Sequence, residues 1–211
     1  MNIIFVKWGT KYSSKQVNNL YRDIRAHEEI IDQADYFCYT DDPIGLDPDI
    51  TVIPIPTKPA LKVWWNKLAM FDKNFPLEGD TLYFDIDTKI IGDPFTMEYD
   101  FSKLTLIDCH WKDSKIYDRP TNYDVRINSS VMAWDADNPD IHEIWDWFIN
   151  SGQRDYFLRK YVGIDRYLVH ENFEYDTFNT DYILSYMFED NSKEAIVITY
   201  EECDFERANI L

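Results

Sequence analysis

A chain of 211 residues is long enough to bury a substantial core and fits one domain, 1–211. Its formal charge of −18 argues against nucleic acid as a partner, because gripping a phosphate backbone takes a basic stripe and none is visible. No run of about eighteen apolar residues occurs, so no membrane span is expected. Cys38, Cys109 and Cys203 are too scattered for a disulfide or zinc framework, and the chain opens on a strand-like run without a basic leader, which points to a reducing, cytoplasmic setting. Aromatic residues make up 17% of the chain; besides filling cores, such flat faces line sugar and nucleobase sites.

The first half alternates two periodicities. Residues 2–8 read as a strand, followed by a turn at Gly9-Thr10. Ser13 or Ser14 can cap a helix whose apolar positions Val17, Leu20, Tyr21, Ile24 and Ile31 recur near helical spacing. Strands are predicted at 36–40 and 50–55, separated by turn-rich residues 41–48. Residues 60–75 read as a helix ended by Pro76, with Leu61, Trp64, Trp65, Leu68 and Phe71 inward. Strands alternating with helices imply an α/β architecture with a largely parallel sheet covered on both faces.

Thr81-Leu-Tyr-Phe-Asp-Ile-Asp-Thr88 comes next and is the most informative stretch. Its apolar lead predicts the end of a buried strand, and side chains two apart on a strand share a face. Asp85 and Asp87 then point into the same space, an arrangement that is costly unless a cation accompanies them. Hard oxygen ligands suit Mn²⁺ or Mg²⁺, which complete their shell with waters and substrate phosphates, so the pair reads as half of a metal–diphosphate site. The bland alternative is two solvated acids in a turn.

The second half is less regular. Short strands are predicted at 104–107 and 125–134, on either side of a polar loop at 111–123. Asn138-Pro139 opens a helix carrying Ile141, Ile144, Trp145 and Phe148, helices are predicted over 153–189, and a last strand over 195–200. In an open α/β sheet ligands sit beyond the carboxyl ends of the strands, here after Val6, after Thr40 and at Asp85–Asp87.

The order of four stretches resembles nucleotide-sugar glycosyltransferases of the Rossmann-like GT-A fold, in the group around glycogenin and bacterial lipopolysaccharide galactosyltransferases. They are Phe5-Val-Lys-Trp-Gly-Thr-Lys-Tyr12, Trp64-Trp-Asn-Lys-Leu-Ala-Met-Phe71, Leu82-Tyr-Phe-Asp-Ile-Asp-Thr88 and Ile127-Asn-Ser-Ser-Val-Met-Ala-Trp134. The resemblance implies a nucleotide-binding half at 1–92 and a sugar and acceptor half at 93–211. It implies a uridine diphosphate sugar as donor, with the loop after the first strand (Val6, Trp8, Thr10, Tyr12) cradling uracil and ribose. For Trp8 and Tyr12 the alternative is packing against the following helix. Asp41 and Asp42 are minor candidates for contacting base or ribose, turn capping being their ordinary role.

The same resemblance assigns Lys67 to the donor's phosphate or sugar, Phe84, Asp85 and Ile86 to the nucleotide, and Asp85 and Asp87 to the metal. Asn128 falls where relatives contact the transferred sugar, with Ser129-Ser130 in place of a small residue plus Gly. Asp181 matches an acid near the sugar on the reacting side, although Asn179 replaces the Asp usually found before it. Relatives close the metal site with a C-terminal His; this tail has none, leaving Glu201, Glu202, Cys203, Asp204 or water. The implied reaction moves a hexose, with glucose as first expectation, to a hydroxyl of a saccharide, protein or small molecule, and retention is favoured. Two rivals stand beside it: a catalytically inactive sugar-nucleotide-binding protein of the same fold, and a haloacid dehalogenase-type phosphatase. The latter needs its Asp-x-Asp on the first strand.

Overall fold

Strand β1 (Asn2–Lys7) is buried on both faces, and its side chains alternate between two cores: Ile4 points to one and Ile3 and Phe5 to the other. The computed structural model describes residues 1–27, 34–57, 61, 63–113, 125–186 and 195–199. Helix α1 (Ser14–Arg25) starts at Ser13, whose N–H donates to the Gln16 side chain at 2.8 Å, and buries Val17, Leu20, Tyr21 and Ile24. Ile31, the outermost residue of the predicted helix, lies outside the described residues. Strands β2 (Asp35–Thr40) and β3 (Thr51–Pro54) follow, each parallel to its predecessor in the sheet.

Residues 63–71 depart from the predicted α-helix. They form a 3₁₀ helix, Val63–Phe71, with Leu61, Trp65, Leu68 and Phe71 buried but Trp64 39% exposed. Three residues per turn put positions 65, 68 and 71 in one buried row, and Trp64 falls in the next. Residues 60 and 62 of the predicted helix lie outside the described residues.

Strand β4 (Asp80–Phe84) is followed by β5 (Thr88–Ile90), β6 (Thr105–Asp108) and β7 (Ile127–Asp135). Most of the predicted polar loop between β6 and β7 lies outside the described residues. Helix α2 (Pro139–Asn150) has Asn138 as its cap and buries Ile141, Ile144, Trp145 and Phe148. The predicted helical run from 153 resolves into α3 (Arg154–Lys160) and α4 (Ile164–His170), after which the chain turns to short strands: β8 (Asp176–Thr177), β9 (Ile183–Ser185) and β10 (Val197–Thr199).

The main sheet has the order β3-β2-β1-β4-β7-β6-β8. All its strands run the same way except β7, which is antiparallel to both neighbours. A second sheet, β5-β10-β9, lies beside α1. The 3₁₀ helix, α2, α3 and α4 cover one face of the main sheet, and α1 with the small sheet covers the other. The sheet therefore crosses from the first half of the chain into the second. Among the described residues no helix is long and apolar enough to cross a membrane.

Candidate active site

β1 leads to β2 on one side, while the chain later returns to place β4 on the other, so the carboxyl ends of β1 and β4 flank a topological switch point. Ile4 pairs with Tyr83 in register, which brings Val6 level with Asp85 two residues on. The loop after β1 and the acidic pair thus share one crevice.

β4 ends at Phe84, and both acids lie in the tight turn that follows. The Asp85 carbonyl accepts from the Thr88 N–H at 3.0 Å and the Thr88 hydroxyl at 2.7 Å, closing that turn. The Asp85 N–H donates to the Ser130 carbonyl at 2.7 Å, tying the turn to β7. The carboxylates converge even so. Burial first, and the Asp85 charge second, push the Asp87 carboxyl up from its ordinary 3.8 to about 6. Burial and both acids together hold the Tyr83 phenol well above its usual value, so it stays a donor.

Lys67 sits beneath this pair. Its Nζ lies 2.8 Å from each Asp85 oxygen and 3.2 Å from the Ser129 carbonyl, with the Tyr83 ring centre 5.1 Å away. The Tyr83 hydroxyl also donates to Asp85. Only 9% of the Lys67 side chain is exposed, so it is not a surface lysine. Its charge answers that of Asp85.

The loop after β1 reaches the second acid: the Tyr12 hydroxyl donates to Asp87 at 2.5 Å. Trp8 and Tyr12 are half-buried and Thr10 is exposed. Gly9, at φ +66, turns its N–H onto the Asp41 carboxylate at 3.1 Å, and the buried Lys7 Nζ donates to the Asp42 carbonyl at 2.9 Å. Asp41 through its carboxylate and Asp42 through its carbonyl thus join the loops after β1 and β2.

The Asn128–Ser130 stretch completes the floor. Asn128 Oδ1 accepts from the Ser130 N–H at 2.7 Å, and the Ser129 N–H donates to Asp165 at 3.1 Å. Asp165 in α4 and Tyr83 are the members that the sequence reading did not single out. Tyr83 had a signal, standing two residues before Asp85 on the same strand face. Asp165 had none, because its partner is 36 residues away.

Asp181 is not bonded to this cluster. It is exposed, its N–H donates to Asn179 Oδ1 at 3.0 Å, and it lies between β8 and β9. Of the histidines, His142 bonds the Ala136 carbonyl and His170 stacks on Tyr161.

Two converging carboxylates with surplus negative charge fit a hard divalent cation, other positions going to water and phosphate oxygens. Among the described residues no group of three His, Cys, Asp or Glu side chains converges to hold a metal. The tail candidates Glu201, Glu202, Cys203 and Asp204 lie outside the described residues.

A mixed sheet with one reversed strand and an acidic turn at its switch point defines a GT-A type glycosyltransferase fold. No protein-family model matches the chain, and no curated protein matches it in sequence. Solved structures do match in fold. The galactosyltransferase LgtC, in a complex with donor and acceptor sugar analogs, superposes with a TM-score of 0.64 at 13% identity, over 98% of this chain and 93% of that one. The glycosyltransferase GlyE of Streptococcus pneumoniae TIGR4 gives 0.62 at 12% identity, over 96% of this chain and 55% of its own. The phosphatase reading falls here, since the acids follow β4 and not β1.

Proposed function

We propose that the protein is a metal-dependent glycosyltransferase that moves a hexose, glucose as first choice, from a uridine diphosphate sugar to an acceptor hydroxyl. The observation that carries this reading is the convergence of Asp85 and Asp87 at the switch point, where burial and the Asp85 charge raise the Asp87 carboxyl above its ordinary value. Mn²⁺ or Mg²⁺ held by these two acids would supply charge stabilisation for the departing diphosphate.

The chain's own residues do the rest. Val6, Trp8 and Thr10 bound the nucleotide side of the crevice, and Phe84 and Ile86 fix the acidic turn from below. Tyr12 orients Asp87 through its hydroxyl, and Lys67 orients Asp85. An incoming diphosphate would compete for the Lys67 ammonium. Asn128, held by its own turn, presents its amide N–H donors to the hexose. Transfer breaks the bond between the anomeric carbon and the diphosphate oxygen, whose electron pair leaves with the diphosphate. A new bond forms to the acceptor oxygen, and its proton passes to a basic oxygen in the crevice. The buried thiols Cys38 and Cys109 are compatible with a cytoplasmic setting.

Asn179, standing where relatives carry an Asp, and a tail without His favour one rival, an inactive sugar-nucleotide binder. Turnover decides between them. With Mn²⁺ present, hydrolysis of uridine diphosphate glucose or galactose is expected from the wild-type chain and not from Asp87→Asn, while both melt cooperatively. Donor binding without turnover selects the inactive binder, and undiminished hydrolysis by Asp87→Asn removes the assignment.

A further inference from the structure

Trp64 is a large aromatic facing solvent from a helix whose neighbouring row, Trp65, Leu68 and Phe71, is buried. In a 3₁₀ helix side chains three apart eclipse, so Trp64 and Lys67 share one row about 6 Å apart along the axis. Lys67 ends on Asp85. The indole therefore stands one helical turn beyond the cation at the acidic pair, on the same side of the helix.

Two backbone features hold it there. Val63, immediately before it, has φ +56, a left-handed conformation that a β-branched residue resists and that marks a position fixed by its surroundings. Gly163, at φ +91, lies against the ring: a Cβ there would sit 3.6 Å from Trp64 Cδ1 and Nε1. Two residues past Gly163, Asp165 holds the Ser129 N–H. Both supports of the indole thus lead within four residues to the walls of the crevice, at Lys67 and Asp165. Val63 and Val162, next in the chain to Trp64 and Gly163, are 43% and 61% exposed.

A pyranose ring has an apolar C–H face and a hydroxyl rim. An exposed indole flanked by aliphatic side chains, with polar groups one turn away, matches that pairing. We propose that Trp64 is the platform on which a sugar ring of a saccharide acceptor stacks. A diphosphate at Asp85 and Asp87 would lie beside Lys67, leaving the position one turn further for the ring that receives the hexose. The term acceptor rests on the transferase reading; the stacking surface does not.

The test measures binding of the full-length chain to an array of neutral glucose, galactose and N-acetylglucosamine oligosaccharides. In parallel it measures KM for Mn²⁺-dependent hydrolysis of uridine diphosphate glucose and galactose without acceptor. Trp64→Ala should weaken saccharide binding at least ten-fold, Trp64→Phe should retain most of it, and the hydrolysis KM should stay within two-fold. Val162→Asp, at an exposed position, should also weaken binding and serves if Trp64→Ala melts early. The proposal is overturned if wild type binds no saccharide, or if Trp64→Ala binds as well as wild type. A ten-fold rise in donor KM with saccharide binding intact would hand the indole to the transferred hexose instead, and overturns the acceptor assignment. Saccharide binding lost in Trp64→Ala, in a chain that binds neither donor, leaves the platform standing and defeats the transferase reading.

Discussion

Tyr12 and Asp87, 75 residues apart in the chain, are joined by a 2.5 Å hydrogen bond from the phenol to the carboxylate. This contact closes the loop after β1 over the acidic turn. It also lowers the proton affinity of Asp87 against the burial and the Asp85 charge that raise it. Tyr12→Phe removes that relief at little cost in packing. Mn²⁺ affinity at neutral pH should fall roughly 5–10-fold, the equivalent of about 1 kcal/mol for one hydrogen bond. Titration of free Mn²⁺ by electron paramagnetic resonance reads this directly, and an unchanged affinity would make Tyr12 a packing residue.

The acid limb of metal binding follows from the same carboxyl. Its affinity for a proton is higher in the fold than in the unfolded chain, about 6 against 3.8. Between those values the folded state holds the extra proton, so metal-free stability present below about pH 4 is lost as pH rises through about 6. A cation must displace that proton, so the Mn²⁺-induced rise in melting temperature should be large at pH 7.5 and small at pH 5. In Asp87→Asn both trends should flatten. A melting temperature whose pH dependence is the same in the variant would show that Asp87 does not titrate in this range.

Lys67→Ala leaves the Asp85 carboxylate with the Tyr83 hydroxyl but no cation. Breaking a buried pair costs about 3–5 kcal/mol, and the partial exposure of Asp85 should reduce this to roughly 2. Donor affinity should drop by roughly 1–3 kcal/mol as well, the scale of a charge-assisted contact. Denaturant melts and calorimetric titration with uridine diphosphate separate the two. Lys67→Arg keeps charge but lacks a point-like ammonium, and should recover stability more than binding.

Gly9 places its amide on Asp41 only because φ +66 is open to it. Gly9→Ala should cost about 1 kcal/mol from the left-handed backbone and loosen the loop that carries Trp8 and Tyr12. Nucleotide affinity should fall with stability. Asp41→Ala should mimic it, and wild-type nucleotide affinity in both variants would detach this loop from the site.

The readable parts of the sequence were those written in local periodicity. The continuous apolar run Leu82, Tyr83 and Phe84 named a buried strand, and Val17, Leu20, Tyr21 and Ile24 named α1. The helix at 63–71 was misread in type, because a 3.0 and a 3.6 repeat place Trp65, Leu68 and Phe71 alike over two turns and diverge only at Trp64. Strands β8 and β9 escaped notice, since each has two or three residues and exists through pairing with distant partners, β8 with β6 and β9 with β10, whereas β10 falls within the strand read at 195–200. Asp165 was invisible for the same reason: its place at the crevice depends on how α4 docks.

The reversed strand β7 has a consequence for how the chain acquires its crevice during synthesis. Its residues 127–135 must wedge between β4 and β6, and Ser130 supplies the carbonyl that receives the Asp85 amide. A nascent chain that has emerged only as far as β6 therefore carries both acids on an open, unpaired sheet edge. Ribosome-held intermediates of that length would be prone to sticking, and chaperone capture should concentrate there.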